Sequence, residues 1–274
     1  SKIYSLGIKL AEKKVLALAI MLMGFKLELN ILTDLGFSSI FIIIFMVLFT
    51  IIAGTLLGKL FGLSDSFSVL LGVGNAVCGS SAIAAAAPIV TEREEEIGLS
   101  ISVVNLLGTI GIFLLPTLTY FLSLTDSNSG LMIGSTLQAT GQVVAAGFSI
   151  NEVVGKLATI VKMGRILMLG PVVLILSLFF DNNKEKFQSK VKVPSFIVGF
   201  FICSILATSK ILPVNIVDFL KTSSKILLTI AMAGIGLKIK ISSLINQGAK
   251  AIIVGILIFG VQLIAITSLI YFIY

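Results

Sequence analysis

Three groups of residues have the types and spacing to do chemistry, and that chemistry is the holding of a negative charge. In Leu71 to Val90, LGVGNAVCGSSAIAAAAPIV, the polar residues Asn75, Cys78, Ser80 and Ser81 alternate with Gly72, Gly74 and Gly79, ahead of an Ala run and Pro88. In Gly130 to Phe148, GLMIGSTLQATGQVVAAGF, the residues Gly134, Ser135, Thr136, Gln138, Thr140, Gly141 and Gln142 precede small apolar ones. Lys162 and Arg165 are three apart, hence neighbours on one helix face. Hydroxyls, amides and free backbone N–H groups can donate to an anion, and the two cations can supply positive potential. The candidate substrate-binding residues are therefore Asn75, Cys78, Gly79, Ser80, Ser81, Ser135, Thr136, Gln138, Gln142, Lys162 and Arg165.

The elements that must position these residues follow from membrane physics. Each glycine weakens a helix by roughly 1 kcal/mol relative to alanine. Irregular backbone at membrane depth survives only where protein or a water-filled cavity covers it. The first stretch thus reads as two half-helices meeting near Val77 to Ser80, the second starting at a Gly-Ser-Ser N-terminus. Such an end presents free N–H groups and a positive dipole end to an anion. The bland alternative is a small-residue helix packed closely on its neighbours. The second stretch has the same order of glycine, polar and small apolar residues, and reads as a partner break meeting the first at the midplane. The span count makes the two stretches parallel, so they are not expected to be an inverted pair. Lys162 and Arg165 lie about 13 to 18 Å into their segment, near mid-bilayer. No Asp or Glu lies deep in another span to pair with them. Their counter-charge is either a half-helix C-terminus or a bound anion, and involvement with an anion, directly or through the cavity potential, is the expectation adopted. Replacing Arg165 by Ala is then expected to abolish anion binding while leaving the protein folded.

The totals bound the class. The chain has 274 residues, of which 57% are hydrophobic and only 12% charged, against about 25% charged in soluble domains. It reads as an all-α polytopic membrane bundle forming a single transmembrane domain over residues 1–274. Nine segments are long enough, or nearly so, to cross about 30 Å of hydrocarbon. They run from about Ile8 to Phe25, Ser38 to Phe61, Ser66 to Val90, Ile97 to Leu122, Gly130 to Phe148, Val153 to Phe180, Pro194 to Ile211, Ser224 to Lys238 and Ala251 to Tyr274. Gly54 and Gly58 have the spacing used for close helix packing. The acidic run Glu92 to Glu96 reads as a solvated turn.

A shift of 212 residues lays Lys13 on Lys225, Gly24 on Gly236, Lys26 on Lys238, Leu32 on Leu244 and Gly36 on Gly248. The first and eighth segments then point in opposite directions, an inverted-repeat arrangement common in secondary transporters. More Lys and Arg collect on the side of Lys9, Lys14, Lys59 and the loop from Asp181 to Lys192 than on the side of Lys26, Arg93, Lys156 and Lys210. The first side is expected to be cytoplasmic. The polar, Lys-rich start suggests that further sequence precedes it.

Several classes are excluded. The net charge of +7 sits mostly in short loops and reports orientation, so no nucleic-acid partner is implied. There is no histidine, which removes a histidine proton relay, a Ser/His nucleophile and a Cys/His metal cluster. Cys78 and Cys203 lie in apolar segments and read as reduced packing residues. Gly74 to Ser80 has the outline of a phosphate loop but lacks its Lys. An enzyme, a cofactor and a metal are not expected. The expected partners are a small anionic substrate, membrane lipid and a second copy in a homodimer, with Na+ or H+ open as coupling ion. An anion channel and a non-transporting membrane scaffold remain the rival classes.

The blocks GVGNAVCGSSAIAAAAPIV, GSTLQATGQVVAAG followed by Lys162-Met-Gly-Arg165, and AMAGIGL from Ala231 to Leu237 resemble, in the same order, those of the sulfate exporter family of YeiH-like conserved membrane proteins. The resemblance covers essentially the whole chain. It implies the bile acid, arsenite and riboflavin transporter superfamily, with a core and a panel domain, crossed broken helices and an elevator motion. It also implies about two helices ahead of Ser1, and a place in the bacterial inner membrane. The substrate implied is sulfate, with sulfite, a sulfonate or another small anion equally open. Where the family often carries His-Glu, this chain has Gln138 and Ala139, which removes two titratable groups from the expected site.

Overall fold

The computed structural model describes residues 14–26, 36–91, 93–180, 195–236 and 241–273. Every regular element among them is helical. In chain order they are α1 (Leu16–Met23), α2 (Gly36–Leu60), α3 (Asp65–Ala76), α4 (Ser80–Val90), α5 (Glu94–Phe121), α6 (Asp126–Thr136), α7 (Thr140–Ile150), α8 (Glu152–Leu167), α9 (Leu169–Phe179), α10 (Ser195–Thr208), α11 (Val214–Gly236) and α12 (Ile241–Ile273). Four stretches are long and apolar enough to cross a bilayer: Ser38–Leu60, Glu94–Phe121, Glu152–Phe179 and Gly248–Ile273. The pairs α3–α4 and α6–α7 are each about 35 Å long end to end at 1.5 Å per residue, enough to cross together though neither half suffices alone.

Both polar stretches are interrupted. Between α3 and α4 the chain leaves helical geometry at Val77 (φ −111, ψ −93) and Gly79 (φ 69, ψ −128). The positive φ at Gly79 is a conformation that L side chains rarely adopt, which is why a glycine stands there. Between α6 and α7 the chain is extended at Leu137 (ψ 142) and Ala139 (ψ 144).

The broken pairs are gripped by continuous helices. α2 lies along α3, α8 packs on both α6 and α7, and α5 touches α3, α4 and α7. The α2–α3 contact is backbone on backbone: a Cβ at Gly54 would stand 2.6 Å from the Gly72 Cα. Gly58 leaves room for the Ser68 side chain, so the glycine spacing in α2 serves as anticipated. α10 and α11 each pack mainly on α1, with the Ser224 hydroxyl donating to the Ala19 carbonyl at 3.0 Å. The sixth segment is interrupted for one residue at Met168, three residues after Arg165, where Pro171 supplies no N–H to the helix.

Two expectations are corrected. Glu96 is no member of a solvated turn: it is 4% exposed. It accepts from the Ser64, Ser66 and Thr91 hydroxyls at 2.7, 2.6 and 3.2 Å and pairs with Arg93 at 3.2 Å. It thereby ties the start of α3 to the α4–α5 corner. The eighth segment starts at Val214 rather than Ser224, because Asp218 and Lys221 sit on the surface of a helix and not in a loop. The repeat partners Lys13, Leu32 and Lys238, the orienting Lys9 and the basic loop of 181–192 lie outside the described residues.

Candidate functional site

Helices that begin at the membrane surface cap themselves. Ser64 accepts from the Phe67 N–H at 3.2 Å, Thr125 from Asn128 at 3.3 Å and Asn151 from Val154 at 2.9 Å. Each is followed by an acidic residue in the first turn, Asp65, Asp126 and Glu152, which suits the positive helix end. The two helices that begin at the breaks do otherwise. The residue before α4 is Gly79 and the one before α7 is Ala139; neither has a capping oxygen, and neither first turn holds an acid. Among the described residues the backbone N–H groups of Ser80, Ser81, Thr140 and Gly141 have no partner. Gln142 takes only the Ala139 N–H, at 2.9 Å.

The opposite ends are filled. Lys162 and Arg165 are both fully buried. The Arg165 guanidinium donates through Nε to Ala76 O at 2.9 Å. Its Nη1 donates to Gly134 O and Leu137 O, both at 3.0 Å, and its Nη2 to Asn75 O and Ala76 O, both at 2.7 Å. Lys162 Nζ donates to Val77 O and, at 2.8 Å, to Leu137 O. Both cations therefore sit on the carbonyl ends of α3 and α6, the negative poles of two helix dipoles. The counter-charge is supplied by the two half-helix C-termini, so neither side chain is free to reach an anion directly as arranged. All five Arg165 N–H groups have carbonyl acceptors, the fork geometry for which arginine is suited.

The two breaks touch. Gln138 Nε2 donates to Asn75 Oδ1 at 3.0 Å, and Asn75 Nδ2 donates back to Leu71 O at 2.8 Å. Both residues are fully buried, so this amide pair is a strut between the breaks. A Cβ on Gly79 would meet the Gln138 Cβ at 3.4 Å and Asn105 Oδ1 at 3.9 Å. Ser80 and Ser81 are half-buried beside this point, as are Thr140 and Gln142. Thr136 is buried and spends its hydroxyl on Met132 O at 2.7 Å. Cys78 is a buried free thiol in the turn itself. Ser135 Oγ and Gln138 Oε1 are buried without a hydrogen-bond partner among the described residues.

Two residues of the site were not singled out from the sequence. Gln262 of α12 is 1% exposed, and its Nε2 bonds Ser135 O at 3.2 Å and Asn75 O at 3.4 Å. Its signal was a lone amide inside an otherwise apolar span, which by default faces the bundle interior. Asn105 of α5 stands beside Gly79 with its carbonyl 3.5 Å from Gln142 Nε2.

The family model described as Conserved hypothetical protein 698 matches residues 1–255. A UPF0324 membrane protein of Clostridium perfringens is 37% identical over 276 residues, covering 97% of this chain and 81% of its own length. One of Bartonella henselae is 35% identical over 264 residues, covering 95% and 76%. The UPF0324 inner membrane protein YeiH of Escherichia coli is 33% identical over 262 residues, covering 93% and 74%. No solved structure matches the chain. With several helices able to span a bilayer, the chain is a multi-pass protein of the bacterial inner membrane.

Proposed function

The chain belongs to the family described as Conserved hypothetical protein 698, and from the geometry of its two touching breaks we propose that it is a secondary transporter of a small anion. The carrying observation is the asymmetry at the breaks. Both carbonyl ends are neutralised by Lys162 and Arg165, while both N–H ends are uncapped and half open. An anion seated against Ser80, Ser81, Thr140 and Gly141 would meet four unpaired N–H groups, two positive helix ends and the potential of two buried cations. Asn105 and Gln142 flank the same place.

The substrate class follows from this donor set. It is rich in donors and has no carboxylate, which suits a compact oxyanion such as sulfate, sulfite or a sulfonate. The reading includes alternating access of elevator type and a place in the bile acid, arsenite and riboflavin transporter superfamily, which two broken helices meeting at one site support. A passive scaffold has no use for interrupted helices whose N–H groups are left unpaired.

Thermal-shift screening of the purified protein against sulfur oxyanions, sulfonates and carboxylates tests the substrate class. Saturable counterflow of the hit in liposomes tests the carrier. Stabilisation only by cations or neutral solutes refutes anion binding, and non-saturable flux points to a channel.

A further inference from the structure

We propose that Lys162 is the proton-carrying group of this carrier, so that one proton enters and leaves with the anion. The inference rests on the transport reading above. It starts from a mismatch in donors and acceptors. A charged amine has three N–H groups. The site gives Lys162 two acceptors, Val77 O and Leu137 O, and no third among the described residues. A neutral amine has two N–H groups and keeps both bonds. The third proton is therefore the one that can leave without breaking either contact.

Charge favours its departure when the site is empty. Lys162 and Arg165 bring two positive charges into a fully buried position, and no carboxylate pairs with either among the described residues. Two helix C-termini offset about −0.5 each, so about one positive charge is left over on the carbonyl side of the breaks, before the two positive helix ends are counted. A bound anion balances it. Without the anion, loss of one proton balances it instead: the N–H bond breaks, the electron pair stays on Nζ, and the proton passes to bulk water by way of the half-buried Ser81 hydroxyl beside Cys78. Arg165 cannot share this role, since guanidinium does not deprotonate in proteins.

Other titratable groups near Lys162 are few. Cys78, on the α3–α4 turn, lies within electrostatic reach of both cations and beside the Ser81 hydroxyl. The charges of α2 and α6, Lys59 and Asp126, sit at the outer ends of those helices, one paired with Asp65 and the other bonded to Asn151. On α8 itself Glu152 and Lys156 pair with each other at the surface.

The test uses the full chain with sulfate and methanesulfonate, which gain no proton near neutral pH, so any proton movement belongs to the protein. In weakly buffered solution the wild type should take up one proton per anion bound. Its affinity should fall about tenfold per pH unit above the titration of Lys162, because anion and proton binding are reciprocally linked. In liposomes, an acid exterior should drive the probe inward and acidify the lumen. Whatever affinity Lys162→Arg retains should no longer vary with pH, and its liposomes should show no gradient-driven accumulation. Retention of the pH slope in Cys78→Ser assigns the slope to Lys162; its loss there overturns the assignment. Saturable wild-type counterflow with no proton uptake and no response to the gradient overturns the proposal while leaving the carrier standing. Failure of both probes and of a wider oxyanion panel to bind or exchange removes the transport reading, and this inference with it.

Discussion

Replacing Arg165 by Lys keeps the buried charge and changes only the geometry of donation. The guanidinium makes five hydrogen bonds to four backbone carbonyls, on Asn75, Ala76, Gly134 and Leu137. An ammonium has three N–H groups, so at least two bonds must go. Hydrogen bonds to charged groups contribute about 1.5 to 3 kcal/mol each, which puts the loss at roughly 3 to 6 kcal/mol. No relief from desolvation offsets it, because the charge stays buried. The Leu137 and Asn75 carbonyls have second donors in Lys162 and Gln262, but Ala76 and Gly134 lose their side-chain partner. At about 2 to 4 °C per kcal/mol for a chain of this size, Tm in detergent should fall by on the order of 10 °C. The assay is a thermal melt of size-exclusion-purified protein at matched detergent. A variant that is monodisperse and melts with the wild type would refute the claim that Arg165 clamps the breaks. The same reasoning revises the expectation that Arg165→Ala folds normally: removal of this side chain should cost fold and binding together.

Further expectations follow from other contacts. Gly79→Ala places a Cβ at φ 69 and should cost about 1 to 3 kcal/mol, read as a lowered Tm with impaired anion binding. Gly72→Val forces a side chain into the α2 backbone, where even a Cβ stands 2.9 Å from Ile51 O; the purified variant should aggregate, and a monodisperse peak would refute the close packing. Glu96→Ala strips three hydroxyls of their acceptor and should raise hydrogen exchange at 64–68 and 91–97 without changing exchange at 134–142. Asn105→Leu should weaken binding of the best oxyanion about tenfold while leaving Tm within a few degrees, since its side chain makes no hydrogen bond among the described residues.

The interruptions were legible because they are written in local chemistry. Gly79 is needed for a backbone angle, and the polar residues around it have no place facing lipid. Apolar run lengths likewise located the continuous spans, as in Ser38–Leu60. What local pattern does not carry is the identity of partners distant in the chain. Lys162 finds Val77 across 85 positions and Arg165 finds Asn75 across 90, and a charge without a visible carboxylate could equally have awaited a ligand. Glu96 was misread for the same reason: its partners are hydroxyls some 30 positions upstream. The amphipathic first half of α11, with Asp218 and Lys221, imitates a loop because half of its surface is polar.

The clamp of one helix on both interruptions has a mechanical corollary. Because Lys162 and Arg165 bolt α3 and α6 to a single turn of α8, these pieces cannot slide past one another without shearing a dense array of bonds. Any rearrangement around the breaks must carry them as one block. The bending then falls to the joints at its edges, the corner before Glu96, the turn at Ser123 and the interruption at Met168.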